Sequence, residues 1–199
     1  MSSKTIVLGI TGASGSPYAV AVLKALLNLD HTVYTIFSPV GKQVWQHENG
    51  FSINDFMTEM KEKHPGKLIV ENNNDLGGKP ASGSFRHDGM LILPCSMKCM
   101  ASIANGFASN LIERSADVCL KERFPLVLGT RETPLNLIHI ENMAKVTRAG
   151  AVVLPASPGF YHKDTSLEGM INFVVGKSLD MLGITDHGLF SRWKEDDNA

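Results

Sequence analysis

Apolar residues along this chain fall into short runs that alternate with longer amphipathic stretches. Runs such as Thr5–Ile10 and Met90–Leu93 are aliphatic or β-branched and stop at glycine, serine, threonine or proline, as buried strands do. The stretches between them, such as Pro17–Leu29, place apolar residues at helical spacing. The pattern predicts strands and helices in alternation.

The predicted strands are Thr5–Ile10, Thr32–Phe37, Lys67–Val70, Met90–Leu93, Leu126–Leu128 and Ala151–Leu154. The predicted helices are Pro17–Leu29, Val40–Glu48, Asn54–Lys63, Lys98–Ala108, Asn110–Arg123, Asn136–Arg148 and Leu167–Leu182. Such alternation favours a parallel, doubly wound α/β sheet with helices on both faces. In these folds ligands bind outside the carboxyl ends of the strands.

Sequence features along the chain indicate one domain. No linker or repeat divides it, so we expect a single unit over residues 1–190 and a polar, fraying tail over 191–199. The longest predicted loop, Asn72–Asp88, is rich in Gly, Asn, Ser and Pro. Loops of that length in compact domains are often functional.

Charge and composition narrow the classes of function. Nineteen basic and twenty acidic residues give a formal charge of −1, which argues against a nucleic-acid surface. The sequence contains neither a membrane-span candidate nor a secretory signal, and its three cysteines are typical of a reducing cytoplasm. Cys95 and Cys99 have no further Cys or His partners at zinc-site spacing, so we expect no metal.

The first strand is followed by a glycine-rich turn, Gly9–Pro17, with glycines at 9, 12 and 15. Its glycines allow close approach to an anion, and Ser14, Ser16 and the amides that open the next helix are expected to donate to it. The spacing fits neither a dinucleotide fingerprint nor a Walker A motif, so a mononucleotide phosphate is the sharper hypothesis. An ordinary tight turn is the alternative.

Other strand ends carry further polar groups. Ser38 follows the second strand, and Ser96 is placed as an N-cap after Pro94-Cys95. Arg114, Asp117 and Lys121 form one helical stripe, which an ion-pair ladder would also explain. Arg131 and Glu132 follow a strand and offer a phosphate-binding fork beside a proton carrier, Tyr161 follows the last strand, and Lys177 lies on the closing helix.

Together these segments resemble the UbiX-type flavin prenyltransferases, formerly described as aromatic-acid decarboxylases. The resemblance rests on GITGASG (9–15), Ser38, PCSMKC (94–99), IANGFASNLIERSADVCLKER (103–123), RETPLNLIHIENM (131–143), PASPGFY (155–161) and VGKSLDMLG (175–183). These stretches span nearly the whole chain in the family's order.

The resemblance implies a set of site residues. Those implied for FMN are Gly12, Ala13, Ser14, Ser38, Ser96, Met97, Lys98, Cys99 and Arg131. Those implied for dimethylallyl phosphate or its chemistry are Arg114, Lys121, Glu132, Tyr161 and Lys177, together with Phe85. The family often has Thr at the position of Cys99 and Trp at that of Phe85. Phe keeps an aromatic face over the allyl group but loses the indole N–H.

The implied reaction is metal-independent transfer of a dimethylallyl group to N5 and C6 of reduced FMN. Cationic groups would stabilise the departing phosphate, and Glu132 would carry a proton. The resemblance also implies a three-layer flavodoxin-like or Rossmann-like fold and FMN at a subunit interface, in a homo-oligomer built from trimers that is usually a dodecamer. Its product, prenylated FMN, would serve a UbiD-type decarboxylase in ubiquinone biosynthesis or aromatic-acid decarboxylation. No nucleic-acid or membrane partner is expected.

Two other functions compete with this one. FMN-dependent cysteine decarboxylases have a similar architecture but typically carry Pro-Ala-Ser-Ala-Asn-Thr and a catalytic His, whereas this chain has Pro94-Cys95-Ser96-Met97. A non-enzymatic flavodoxin-like carrier is the other alternative. It would not need the set of Arg114, Lys121, Arg131, Tyr161 and Lys177.

Overall fold

The chain folds around one parallel sheet, described for residues 2–161 and 164–193 by a computed structural model. The strands are β1 (Thr5–Ile10), β2 (Thr32–Phe37), β3 (Leu68–Glu71), β4 (Gly89–Cys95), β5 (Leu126–Thr130) and β6 (Val152–Pro155). The helices are α1 (Ser16–Asn28), α2 (Pro39–Asn49), α3 (Ile53–Lys63), α4 (Met97–Ala104), α5 (Leu111–Glu122), α6 (Leu137–Ala149) and α7 (Leu167–Met181), with a 3₁₀ helix at Lys79–Ala81.

The order of the strands creates a switch point in the middle of the sheet. The order is β3-β2-β1-β4-β5-β6, and every neighbouring pair is parallel. The chain winds outward from β1 to β3, crosses back to β4 and winds the other way. Loops leaving β1 and β4 therefore diverge and open a crevice at the carboxyl edge, the usual ligand site of such sheets.

Alternating side chains fill a core on each face of the sheet. Leu8 and Leu91 pack into one core with α1 and α7, whereas Val7 and Ile92 pack into the other with α4 and α5. Because strand side chains alternate with a period of two, continuous apolar strands fit only a sheet that is covered on both sides. This arrangement confirms the predicted doubly wound α/β class.

Several predicted boundaries differ from those observed. The helix expected over Lys98–Ala108 ends at Ala104, because the backbone of Gly106 turns to a φ of +73°. The strand expected over Met90–Leu93 extends to Cys95, so Pro94 lies inside β4, where a register shift accommodates it.

The end of the chain is partly described. The predicted tail starts at residue 191, yet Arg192 and Trp193 contact the body of the protein, as detailed below. Residues 194–199 lie outside the described residues, and the predicted boundary at 190 stays a prediction. Within the described ranges, no helix combines the length and the apolar character that crossing a membrane requires.

Candidate functional site

The ends of β1 and β4 are joined directly beneath the crevice. The hydroxyl of Thr11 donates to the carbonyl of Pro94 at 2.8 Å and accepts from the amide of Ser96 at 2.8 Å. Thr11 is 3% exposed, so these bonds are shielded from water. They fix the glycine turn against the start of α4.

Two serines cap helices that begin at this edge. Ser38 accepts from the amide of Gly41 at 3.0 Å, and Ser96 accepts from the amide of Cys99 at 3.3 Å. The predicted cap at Ser96 is confirmed. The amide of Cys99, a residue implied for FMN, is thus bonded within the cap. The amides of Met97 and Lys98, in the first turn of α4, have no acceptor within the helix and remain as its donors.

A cavity of about 330 Å³, called the central cavity below, opens where these ends meet. It brings together five predicted flavin residues, Gly12, Ser38, Ser96, Lys98 and Cys99. Ala13 and Met97 are buried next to lining residues. Its other lining residues are Thr11, Pro39, Val40, Asn73, Asn110, Ile112 and Glu113.

Asn73, Asn110 and Glu113 are polar lining residues that the sequence analysis missed. Asn73 is 8% exposed, and its carbonyl and side chain accept from the first amides of α5, at Leu111 and Ile112. Glu113 is 7% exposed and accepts from the amide of Ser109 at 2.9 Å. Asn73 belongs to the long predicted loop, and no local pattern signals that it caps a distant helix.

The glycine turn already binds an anion, the side chain of Glu48. This carboxylate accepts from the amides of Gly15 and Ser16, at 3.0 and 2.8 Å, and from the Ser16 hydroxyl at 2.8 Å. Burial alone would raise the pKa of Glu48, but hydrogen bonds from Ser14, Gly15 and Ser16 outweigh it and lower that pKa. The amides of Gly15 and Ser16, which open α1, therefore already have an acceptor, and their expected role toward a ligand phosphate stays a prediction.

Arg131 lies on the other side of the same turn. Its Nε donates to the carbonyl of Ser14 at 3.0 Å. Arg131, Ser14 and Glu48 line a second cavity of about 470 Å³, together with Gly15, Pro17, Tyr18, His47, Ala156, Leu167 and Ile171. Burial raises the pKa of the Tyr18 phenol, and the positive charge of Arg131 offsets part of that rise. The turn thus separates two cavities, each with its own cation, Lys98 or Arg131.

The predicted donor residues on α5 lie elsewhere in the chain. Arg114 pairs with Asp117 at 2.7 Å and donates to the carbonyl of Ala81, whereas Lys121 pairs with Glu122. Lys121 also lies beside Gly83 in the long loop, close in sequence to Phe85. The end of α5 leads into the amino end of β5, so Lys121 is at the edge of the sheet opposite the crevice. We call Arg114, Lys121 and Phe85 the α5 group.

Tyr161 and Lys177 form another group, which we call the α7 group. The Tyr161 ring contacts Phe173 on α7 at 5.5 Å between ring centroids, and Lys177 lies near Asp180 on the same helix. Neither residue lines the two cavities described above. Glu132, beside Arg131, is exposed and accepts from the amide of Thr133. One chain therefore holds the predicted donor residues in three separate places.

The thiols are poor candidates for catalysis. Cys95, Cys99 and Cys119 are all buried and unpaired. Burial raises the pKa of Cys119 to about 12, and a hydrogen bond with Cys99 together with burial raises that of Cys95. A thiol that stays protonated is a weak nucleophile. Among residues 2–161 and 164–193, no group of three His, Cys, Asp or Glu side chains could hold a metal ion.

Comparisons with known proteins show what the whole chain is similar to. The model of the family described as Flavoprotein matches residues 1–176. The flavin prenyltransferase UbiX of Alkalihalophilus pseudofirmus is 43% identical over 195 residues, covering 96% of this chain and 97% of the relative.

Two solved structures share both fold and sequence. AnUbiX (PadA1), crystallised with FMN and dimethylallyl pyrophosphate, superposes with a TM-score of 0.88 at 41% identity, over 97% of this chain and 98% of that one. A dodecameric FMN-dependent UbiX-like decarboxylase from Escherichia coli O157:H7 gives a TM-score of 0.87 at 36% identity, over 96% and 99% of the two chains.

Proposed function

Because the chain belongs to the flavin prenyltransferase family UbiX, within the wider Flavoprotein family, we propose that it alkylates reduced FMN with a dimethylallyl group. The observation that carries this proposal is the central cavity, where Gly12, Ser38, Ser96 and Lys98 meet at the switch point of the sheet. The flavin prenyltransferase relative matches this chain over nearly the whole length of both proteins. That match favours this function over the cysteine decarboxylase and carrier alternatives.

The residues around the central cavity have the chemistry that FMN requires. Hydroxyls of Ser38 and Ser96, whose lone pairs accept from helix amides, keep their protons to donate to ribityl or phosphate oxygens. Lys98 and the first amides of α4 supply positive charge for a phosphate. Arg131, which reaches the glycine turn from β5, is proposed to complete the flavin site with Ala13, Ser14, Met97 and Cys99.

Reduced FMN supplies the nucleophilic N5 and C6 when it is bound. The carbon–oxygen bond of the dimethylallyl phosphate breaks, and the phosphate leaves with the bonding electrons. Arg114, Lys121, Tyr161 and Lys177 are proposed to bind this phosphate, since fixed cations and a phenol O–H stabilise the charge that develops on it. Glu132 is proposed to move a proton at this site. Phe85 presents an aromatic face to the allylic cation.

These donor residues lie apart within one chain, so the proposed site needs several copies. Apolar side chains are exposed around the start of α6, namely Leu135, Leu137, Ile138 and Ile140, and Phe107 is exposed at the end of α4. Exposed apolar patches of this kind mark protein interfaces. We propose a homo-oligomer of trimers, with a dodecamer as its final form, as in the Escherichia coli structure.

The product is a modified cofactor rather than a metabolite. We propose that prenylated FMN passes to a UbiD-type decarboxylase in ubiquinone biosynthesis or aromatic-acid decarboxylation. A cytoplasmic location is proposed because the three cysteines are buried and unpaired, as in proteins of a reducing compartment.

The direct test is mass spectrometry of the flavin released after anaerobic incubation of the protein with reduced FMN and dimethylallyl phosphate. We expect a flavin heavier by one dimethylallyl unit. The matched control is Arg131→Ala, which removes the cation at the glycine turn. An unmodified flavin from FMN-loaded wild-type protein would overturn the proposal.

The same assay tests the donor and the role of metal. Protein groups, not a metal ion, are proposed to hold the donor phosphate, so product should form in excess EDTA. The diphosphate ester carries about one more negative charge than the monophosphate, and the proposed cationic residues are matched to the monophosphate. The monophosphate should therefore react faster. Turnover that EDTA stops and Mg²⁺ restores would contradict the metal-independent mechanism.

A further inference from the structure

Asp180, near the end of α7, binds two residues from beyond the helix. Its carboxylate accepts from both terminal nitrogens of Arg192, at 3.1 and 2.7 Å, and lies 3.3 Å from Nε2 of His187. The side chains of Asp180 and His187 are 7% and 2% exposed. We call Asp180, His187 and Arg192 the C-terminal clasp. It fastens the segment after α7 back onto the helix.

An aromatic chain connects the clasp to Tyr161. The rings of His187 and Phe190 lie 5.4 Å apart, those of Phe190 and Phe173 5.2 Å, and those of Phe173 and Tyr161 5.5 Å. The ring of Trp193, next to Arg192, also contacts that of Tyr161, at 5.5 Å between centroids. Tyr161 thus contacts both α7 and the segment that the clasp fastens. Both contacts of the Tyr161 ring are edge-on, and such contacts are directional, so they orient the ring while leaving it 43% exposed.

The helix is shaped to receive this segment at Gly176. A Cβ added there would lie 2.6 Å from the ring of Phe190 and 2.7 Å from that of His187. Only a residue without a side chain lets both rings pack onto this turn of α7. The neighbouring residue in sequence is Lys177, so the packing and the proposed phosphate ligand share one helical turn.

Lys177 completes the arrangement from its position one turn before Asp180. Its ammonium is 3.7 Å from Oδ2 of Asp180, the one carboxylate within 4.0 Å of it among the described residues. The oxygens of Asp180 already accept from Arg192 at shorter distances. Asp180 therefore attracts the ammonium toward a fixed place and leaves its protons available to a phosphate oxygen.

From this geometry we infer that Asp180 is a positioning residue for the alkyl-donor phosphate. It orients Lys177 by charge, and it orients Tyr161 through the C-terminal clasp and the aromatic chain. Asp180 itself does not touch the donor. The inference rests on the proposed function, because it assumes that Lys177 and Tyr161 bind the donor phosphate.

The test compares two affinities of the full-length protein. Calorimetry on the FMN-loaded protein measures the Kd of dimethylallyl phosphate, and fluorescence titration of FMN into the flavin-free protein measures the Kd of FMN. Asp180→Asn keeps the shape of the side chain but removes its charge. We expect the Kd of the donor to rise about tenfold or more, the usual effect of losing a charge-assisted contact. The Kd of FMN should stay within about twofold of wild type, a difference well under 1 kcal/mol.

Gly176→Ala provides a second route to the same result, because it disturbs the packing of Phe190 and His187 while every charge is kept. It should also weaken donor binding selectively. Asp186→Asn is the matched control, since Asp186 is an exposed acid next to His187 and lies outside the clasp. This variant should bind both ligands as wild type does.

The outcomes separate the inference from its premise. Wild-type protein that binds FMN but neither binds nor uses the donor would overturn the proposed function. Wild-type protein that uses the donor, with an unchanged donor Kd in Asp180→Asn and Gly176→Ala, would overturn the positioning role. Equal loss of donor and FMN binding in both variants would also overturn it, because the clasp would then serve general stability alone.

Discussion

Glu48 accepts the hydrogen bonds that the glycine-rich turn was expected to offer to a phosphate. The glycine turn was expected to meet a phosphate with the amides that open α1, yet Gly15 and Ser16 donate to this carboxylate. Glu48 lies far from the turn in sequence, within a helix predicted for its periodicity alone, so no local signal pointed to it. A phosphate could reach the same amides only by displacing this carboxylate.

The first prediction concerns Glu48 and pH. Glu48→Gln should lower the free energy of unfolding by about 1 kcal/mol at pH 7. The Gln side chain has one acceptor oxygen instead of two, so it accepts fewer hydrogen bonds from Gly15 and Ser16. The pKa of Glu48 is lowered in the folded protein from an ordinary value of 4.5, so its stabilising effect is complete above that value. It is lost as pH falls through the lower, folded pKa.

Denaturant unfolding of both proteins between pH 7 and pH 3 measures this difference. The gap between wild type and Glu48→Gln should narrow only in the acidic part of the range. A gap that is constant with pH would mean that the charge of Glu48 is not what the turn recognises. Glu62→Gln, an exposed acid on α3, serves as the control.

A second prediction concerns Gly12, where the turn meets the central cavity. A Cβ at this position would lie 2.4 Å from Cγ1 and 2.7 Å from Cβ of Val40. A rotamer change moves the first atom but not the second, so Gly12→Ala must push the start of α2 away from β1. We expect FMN affinity to fall by about tenfold, since overpacking typically costs 1–3 kcal/mol.

Fluorescence titration of FMN measures the effect, and Val40→Gly alone is the matched control for the double variant. The double variant Gly12→Ala with Val40→Gly removes the obstructing atoms and should regain most of the affinity. If the double variant binds as weakly as Gly12→Ala, the loss has a cause other than contact with Val40.

At the scale of elements, the sequence predicted each described strand and α-helix, but neither the 3₁₀ helix at Lys79–Ala81 nor how the elements meet. Local signals sufficed for the Ser96 cap and for the alternation of β1 through β6, because periodicity and capping depend on neighbours in the chain. The helix expected to reach Ala108 ends at Ala104, before Gly106, whose backbone conformation no apolar pattern reveals. The capping of α5 by Asn73 depends on tertiary structure.

A third prediction tests the junction of α2 with β1. Gly41 is buried in the first turn of α2, and a Cβ there would lie 2.5 Å from the carbonyl oxygen of Ile10. Gly41→Ala should therefore destabilise the protein by about 1–3 kcal/mol, although Ala favours a helix by about 1 kcal/mol over Gly. Backbone cannot move aside as a side chain can.

Denaturant unfolding at a fixed protein concentration measures this cost. Gly50→Asn is the control at the other end of α2, where φ is +68° and nothing lies within 4 Å of an added Cβ. Asn tolerates that conformation, so the change should cost less than about 1 kcal/mol. A stable Gly41→Ala variant would mean that α2 can shift away from β1 freely.

At the scale of the whole molecule, the sequence named residues that one chain does not bring together. The resemblance assigned Lys121 and Lys177 to the alkyl donor and Arg131 to FMN, and the structure places the three on α5, on α7 and after β5. Spacing along a chain carries no information about contacts between copies. The complete donor site is therefore a property of the proposed oligomer.

The last prediction tests this shared site by mixing two damaged chains. Lys121→Ala and Arg131→Ala should each abolish most transfer activity when expressed alone. Co-expressed with different tags and purified as hetero-oligomers, they should regain about a quarter of the wild-type rate, because in a closed symmetric assembly that fraction of sites pairs an intact Arg131 with an intact Lys121 from a neighbour.

Arg131→Ala mixed with Glu132→Ala is the control. Those residues are adjacent at one strand end, and if a single subunit supplies both of them, no site in the mixture is intact and activity should stay low. Native mass spectrometry confirms that the chains have mixed. Well-mixed Lys121→Ala and Arg131→Ala oligomers without activity would show that one subunit supplies both residues to its own site.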